Sequence, residues 1–189
     1  MIYEISEFDR YLLITVIEHA KVGRVEGFLE TLRRKSPATE AQVLRLDRVA
    51  GAEHVFFASM NALKAFKQKT NLSKGLPMEI LLFASAQRQI KNAIEMLGLK
   101  DESTKFALVA VSNDKGKLKD LLEMVLSITE GKENDAALDI WSKKKMEELK
   151  KVYGISEREL DATTSTKTCV EKALKNSIIE RMAILLTRT

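Results

Sequence analysis

A chain of 189 residues, 45% hydrophobic and 31% charged, has the length and composition of one globular domain. A single cysteine, Cys169, excludes an intrachain disulfide framework, and no apolar run reaches the ~20 residues that a membrane helix requires. The net charge of +4 and the isoelectric point near 9.1 are too mild to predict a nucleic-acid partner by themselves.

The first third of the chain is predicted to alternate strands with helices. Residues 11–20 are rich in β-branched side chains, which predicts a buried strand. Residues 24–35 carry apolar side chains at helical spacing, whereas residues 41–50 alternate apolar and polar side chains, as a half-buried strand does. Gly51 then precedes a long predicted helix over residues 52–68.

The middle of the chain contains a polar junction, Gln87-Arg88-Gln89, between two apolar segments. The run 78–86, MEILLFASA, predicts a strand, and a helix is expected to begin near Ala86 with Ser85 as its N-cap. The inward side of this helix is predicted from its spacing to be Ile90, Ala93, Ile94 and Leu97. Residues 105–112, KFALVAVS, predict a fourth strand.

The last third of the chain is predicted to be helical. Helices are expected over residues 116–128 and 142–154, followed by a capping box from Ser156 to Glu159 and a last helix from about Thr166. Four strands and several helices predict a small sheet covered by helices. The alternation alone favours parallel strands, but periodicity does not determine their order or direction.

The cysteine content and the N-terminus predict the compartment. One cysteine is typical of a reducing environment, and the first residues carry acids without the basic stretch of a signal peptide. We therefore expect a cytoplasmic protein in which residues 1–189 form a single domain.

Local patterns of catalysis are missing from the sequence. No glycine-rich segment has the spacing of a phosphate-binding loop, and His19, His54 and Cys169 are too widely separated to form a metal-ligand motif. His54 is interpreted as a hydrogen-bonded residue at the edge of the core, and Cys169 as a small core residue. We therefore predict a protein that is not an enzyme and that uses no cofactor or metal.

Positive charge is concentrated in residues 64–91, which we call the basic span. It contains six basic residues and one acid, Glu79, so its net charge of +5 exceeds that of the whole chain. A helix N-terminus in this span would offer free N–H groups to phosphate. An ordinary solvated basic face is equally consistent with the charge alone. The predicted RNA-binding residues are Lys64, Lys67, Lys69, Asn71, Ser73, Lys74, Gln87, Arg88, Gln89 and Lys91.

The last predicted helix is apolar over more than one face. One stripe contains Val170, Leu174, Ile178 and Leu185, and a second contains Ile179, Met182, Ala183 and Leu186. A helix of this kind is buried from two sides, either by its own domain or by a partner. Core packing with a terminal strand in AILLT is the competing interpretation. The predicted partner-binding residues are Ile178, Ile179, Met182, Ala183 and Leu186.

Three segments together resemble a known family, the small kinase-binding subunit of the KEOPS complex. They are VAGAEHVFFASMNALKAF, NLSKGLPMEILLFASAQRQIKNAIEMLGL and SIIERMAILL. The resemblance implies an α+β fold with a four-stranded, largely antiparallel sheet flanked by helices on both faces and a helical C-terminal third. We accept this expectation over the parallel sheet that the alternation favours.

The resemblance also implies a function. Members of this family bind the PRPK-type atypical kinase/ATPase of the KEOPS complex, which makes threonylcarbamoyl-adenosine in tRNA, and archaeal-type members bind the tRNA 3′ CCA end. Gln87, Arg88 and Gln89 are expected to meet that single-stranded end, since exposed bases are read by donors and by guanidinium stacking. A monomer within the complex is expected.

Two other function classes stay open on sequence grounds. A free-standing basic RNA-binding protein would use the basic span alone, and the apolar last helix argues against it. A small enzyme with a site dispersed in sequence is disfavoured by the missing acid/base and metal-ligand residues.

Overall fold

The computed structural model of the protein describes residues 1–163 and 170–185. Its strands are β1 (Ile2–Ile5), β2 (Arg10–Glu18), β3 (Glu40–Leu44), β4 (Phe106–Ser112) and the two-residue β5 (Lys132–Glu133). The described helices are α1 (Val25–Lys35), α2 (Ala52–Gln68), α3 (Leu76–Ser85), α4 (Ile90–Leu97), α5 (Lys115–Thr129), α6 (Lys143–Tyr153), α7 (Glu157–Thr163) and α8 (Val170–Ala183).

A single antiparallel sheet organises these elements in the order β1-β2-β4-β3, and β5 adds a short pairing to β2. Because β2 and β3 are both antiparallel to β4, they run parallel to each other, and α1 connects them. The strand–helix–strand alternation thus indicated their direction correctly. It did not reveal that β4 inserts between them, so that every hydrogen-bonded pair is antiparallel.

Two hydrophobic clusters cover the two faces of the sheet. Successive side chains of a strand point to opposite faces. Leu12, Ile14 and Val16 of β2 therefore pack with α2, α3, α6 and α8, whereas Leu13 and Ile17 pack with α1 and α5. Every residue of β4 is buried. The predicted α+β fold, with an antiparallel sheet, helices on both faces and a helical C-terminal part, is confirmed.

One strand prediction was wrong, and two strands were missed. Residues 78–86 lie in α3 and its C-cap, not in a strand, while β1 and the two-residue β5 were not predicted. The segment is buried from Ile80 to Ser85, so it shows no period that distinguishes a helix from a strand. The signals for a helix were Pro77 in its first turn, after Gly75 at the N-cap, and the scarcity of β-branched residues.

The start of α4 also differs from the prediction. Ser85 is not its N-cap: the Ser85 hydroxyl donates to the carbonyl oxygens of Leu81 at 2.8 Å and Leu82 at 3.1 Å. The helix begins at Ile90 rather than near Ala86, with Gln89 at the N-cap position. The junction therefore joins two helices, not a strand and a helix.

The C-terminal helices match the sequence more closely. The hydroxyl of Ser156 accepts the backbone N–H of Glu159 at 3.2 Å, as a capping box requires. The Glu159 carboxylate completes the box by accepting the backbone N–H of Ser156, and it also binds Arg181 of α8 in a bidentate ion pair at 2.6 and 2.9 Å. The predicted helix start near Thr166 and the predicted core residue Cys169 lie outside the described residues. In the part of the chain that is described, no helix is long and apolar enough to cross a membrane.

Candidate nucleic-acid and partner interfaces

A buried histidine, His54, fixes the end of α3 next to the junction between α3 and α4 by hydrogen bonds. His54 Nδ1 accepts the N–H of Ala50 at 3.0 Å, so its Nε2 carries the proton and donates to the carbonyl of Ala84 at 2.8 Å. The hydroxyl of Tyr153 donates to the same carbonyl at 2.9 Å. Burial lowers the pKa of His54 to about 4, so the ring is neutral near pH 7. The last turn of α3 is thus anchored to α2 and α6.

The turn itself follows from a standard helix ending. Ala86 adopts the left-handed conformation with φ of 51°, and the N–H groups of Ala86 and Gln87 bond back to Phe83 at 2.9 Å and Leu82 at 3.0 Å. The first helical bond of α4 runs from Ala93 N–H to the Gln89 carbonyl. The preceding N–H groups of α4 have no acceptor within the helix, and among the described residues no side chain caps them. The junction therefore presents free donors beside exposed polar side chains.

An exposed apolar pair adjoins this junction and was not predicted. Ile90 and Ile94 were expected to face the core, but their side chains are 44% and 48% exposed. The other two predicted residues, Ala93 and Leu97, do face inward, together with Met96. Ile90 and Ile94 lie four residues apart, so they share one face of α4. The exposed cations Arg88 and Lys91 flank them. A cationic and apolar surface beside free N–H groups suits an unstacked nucleotide end.

The basic span does not form one continuous patch. The bond between His54, in the first turn of α2, and Ala84, in the last turn of α3, shows that these helices run antiparallel. The cations around the end of α2 therefore lie one length of α3 away from the junction, about 15 Å for ten residues. This distant group is Lys64, Lys67, Lys69 and Lys74. Lys67 also forms an ion pair with Glu7, whose carboxylate oxygen lies 3.8 Å from the Lys67 Nζ.

Two predicted RNA contacts have structural roles instead. Ser73 is 5% exposed, and its N–H and hydroxyl both donate to Glu79 Oε2 at 2.7 Å. The amide of Asn71 donates to the Ser73 carbonyl at 2.8 Å. Glu79 is itself fully buried and also accepts the N–H of Leu72. We therefore withdraw Ser73 and Asn71 as nucleic-acid contacts, because their donors hold the loop between α2 and α3.

Helix α8 contributes one wide buried stripe and one outer face. Ile178 and Met182 are fully buried in the chain's own core, so their predicted contact with a partner is withdrawn. Ile179 is half-buried and Ala183 is exposed, and Ile184, just beyond α8, is a 42% exposed residue that was not predicted. Leu186 lies outside the described residues. We call Ile179, Ala183 and Ile184 the outer face.

The described residues do not meet the requirements of a metal site. Across residues 1–163 and 170–185, no three His, Cys, Asp or Glu side chains are grouped so that they could hold a metal ion. The junction and the outer face offer hydrogen-bond donors, cations and apolar side chains.

Comparisons with known proteins identify relatives of this chain. The sequence model of the family described as kinase binding protein CGI-121 matches residues 20–185. The chain is similar to the regulatory protein Cgi121 of Methanocaldococcus jannaschii, with 32% identity over 99 residues, which cover 52% of this chain and 60% of the relative. It is also similar to the KEOPS complex subunit Cgi121 of Pyrococcus abyssi, with 36% identity over 70 residues, 37% of this chain and 41% of the relative. Each match therefore spans less than two thirds of the relative's length.

Proposed function

The chain belongs to the CGI-121 family of kinase-binding proteins, and we propose that it is the non-catalytic accessory subunit of a KEOPS complex. In this role it binds the PRPK-type kinase/ATPase and recruits tRNA by its 3′ CCA end, which supports threonylcarbamoyl-adenosine modification. The match of residues 20–185 to the family carries the proposal. The two surfaces serve different partners.

The outer face of α8 is the proposed kinase contact. Exposed apolar side chains next to a fully buried stripe allow a partner to extend the core of this chain across α8. The position of α8 is well defined, because Arg181 binds Glu159 of α7 and donates to the Gly154 carbonyl at 3.1 Å. A rigid, partly apolar helix face costs little entropy to bind.

Ala183→Glu is expected to weaken kinase binding at least thirtyfold. The new carboxylate would be buried without a partner in an apolar contact, which costs about 2 kcal/mol or more. Ala183 is exposed in the free protein, so the variant should fold normally. The measurement is calorimetric titration of the purified PRPK-type kinase with each variant.

A matched control is Ala38→Glu, the same substitution at an exposed alanine in the loop after α1. Helix α1 packs on the other face of the sheet from α8, so binding should be unchanged. Equal affinity of wild type and Ala183→Glu would contradict the kinase contact at α8. If wild type bound tRNA but no kinase at all, the free-standing RNA-binding function would replace this proposal.

The junction is the proposed contact for the tRNA end. Free N–H groups of α4 and the guanidinium of Arg88 supply donors for phosphate, and Ile90 with Ile94 supplies an apolar surface for unstacked bases. Gln87 and Gln89 add neutral donors and acceptors. The distant lysines at the end of α2 contact the tRNA phosphate backbone and do not contact the 3′ CCA end.

Arg88→Ala is expected to weaken binding of intact tRNA about tenfold, because guanidinium stacking and phosphate pairing are lost together. Removing the CCA tail should weaken wild-type binding similarly, and the variant should then show no further loss on trimmed tRNA. Arg34→Ala, at an exposed position on α1, removes the same charge elsewhere and should have little effect. Filter binding at two salt concentrations measures these affinities. Indifference of wild type to tail removal would refute recognition of the tail.

A further inference from the structure

The protein also has a cavity that is separate from both proposed interfaces. A cavity of about 640 Å³ opens between the turn that follows β3, the segment that joins α4 to β4, and the beginning of α6. This volume lies within the range of small-molecule sites in proteins. No junction residue and no outer-face residue lines it, so its ligand is not explained by the proposed function.

The charge of the cavity favours an anion. Five cations and three carboxylates line it, and each carboxylate already accepts hydrogen bonds from the protein. Asp47 accepts from Arg45 at 2.6 Å, Glu148 from Arg48 at 2.9 Å, and Glu18 from the amide of Asn134 at 2.7 Å. Four lysines remain, and within the described residues none of them has a carboxylate oxygen within 4 Å. They are Lys100, Lys105, Lys144 and Lys145.

Lys145 is the most constrained of these cations. Its Nζ donates to the carbonyl oxygens of Leu138 at 3.1 Å and Ile140 at 3.3 Å, and it lies 5.5 Å from the centre of the Trp141 ring. An ammonium group has three donors, so one N–H remains for a ligand. Burial lowers the pKa of Lys145, and Asp139 and Asp47 offset this only in part. A bound anion would stabilise this partly desolvated charge.

Two further features define the kind of anion. Ser142, the N-cap of α6, lines the cavity, so the free N–H groups and the positive end of this 11-residue helix are close to it. Leu46, Leu99 and Ile140 add apolar surface, and Ile140 is 60% exposed. Lysines with a helix N-terminus suit phosphate, and the apolar wall suits a planar organic group attached to it.

We propose that this cavity binds a nucleoside phosphate, through Lys105, Lys144 and Lys145 at the phosphate and through Leu46, Leu99 and Ile140 at the base. The nucleotide is either free or part of an RNA strand, and both sources share this chemistry. The site is independent of the junction, since different elements build it.

Calorimetric titration with AMP tests the site, with adenosine as the uncharged comparison. Wild type should bind AMP at least tenfold more tightly than adenosine, and the difference should shrink at high salt. The double variant Lys105→Ala with Lys144→Ala should lose at least tenfold in AMP affinity. Both side chains are exposed, so folding should be unaffected, and thermal unfolding checks this. Equal binding of AMP and adenosine, or of AMP by wild type and the double variant, would overturn the proposal.

Two control variants are needed. One tests whether the loss of any two surface lysines lowers AMP affinity, and the other tests whether AMP binds at the junction instead of in the cavity. Lys35→Ala with Lys119→Ala removes two exposed lysines from α1 and α5, on the other side of the sheet, and should leave AMP affinity unchanged. Arg88→Ala should leave AMP binding by the cavity unchanged, whatever its effect on tRNA, because Arg88 does not line the cavity. Displacement of AMP by saturating tRNA would identify the nucleotide as part of RNA, and simultaneous binding would identify it as free. AMP affinity lost in Arg88→Ala but kept in the cavity double variant would contradict the proposal.

Discussion

Glu79→Ala is expected to lower the free energy of unfolding by about 3 kcal/mol. The Glu79 carboxylate is fully buried and accepts the N–H groups of Leu72 and Ser73 and the hydroxyl of Ser73, at distances from 2.7 to 3.1 Å. Alanine would leave the N–H groups of Leu72 and Ser73 without their acceptor, whereas the Ser73 hydroxyl keeps the Gly75 carbonyl at 3.0 Å. Each buried unpaired donor costs roughly 1 kcal/mol or more, and the cavity left by the removed side chain adds to this cost. Urea unfolding followed by circular dichroism measures the change.

Matched variants make this expectation specific. Glu79→Gln keeps one acceptor oxygen and should lose less stability than Glu79→Ala. Glu95→Ala, at an exposed position of α4, removes the same charge without exposing buried donors and should change the free energy of unfolding by under ~0.5 kcal/mol. Similar unfolding energies for Glu79→Ala and Glu95→Ala would show that the loop between α2 and α3 does not depend on this carboxylate.

The free energy of unfolding is expected to decrease by about 3 kcal/mol as the pH falls from about 6.5 to about 4, through His54 alone. The pKa of His54 is lowered from 6.5 to about 4, chiefly by burial. Between these pH values the unfolded chain binds a proton that the folded chain does not, so acid favours unfolding. Protonation would also turn Nδ1 into a donor facing the N–H of Ala50.

Two histidine variants assign this pH dependence. His54→Gln should be less stable at pH 7, and its stability should vary less over this pH range. His19→Gln, at the exposed second histidine, should keep the wild-type dependence. Urea unfolding at half-unit steps of pH gives the slopes. If the free energy of unfolding of wild type and of His54→Gln depended on pH in the same way, His54 would not be buried and neutral. Its hydrogen bond to the Ala84 carbonyl, next to the junction, would then also be in error.

The candidate interfaces could be predicted in part. Arg88 and Gln89 were selected correctly as exposed polar residues at a junction, because a polar run between two apolar segments reaches the surface. Ser73 could not be distinguished from a surface serine, since its partner Glu79 becomes close only when the loop closes. Ile90 and Ile94 were assigned to the core by spacing, although spacing gives only which residues share a face and not which face is covered.

The cavity was not predicted from the sequence at all. Arg45, Lys105 and Lys145 are separated by 40 residues or more in the numbering and meet only because β3, β4 and α6 are neighbours. No local pattern marks such a set, because each residue by itself has the signature of an ordinary exposed cation.

The sequence by itself determined the amphipathic helices, the central strands and the family of this protein. The helix over residues 52–68 has the predicted bounds, because its local spacing and the preceding Gly51 give the same answer. Periodicity could not assign residues 76–85 to a helix, since a segment buried on all sides has none, and the tertiary structure decided this assignment. It also decided that β4 separates β2 from β3 and that the basic span divides into two groups. These features depend on contacts between residues distant in sequence, which local periodicity does not encode.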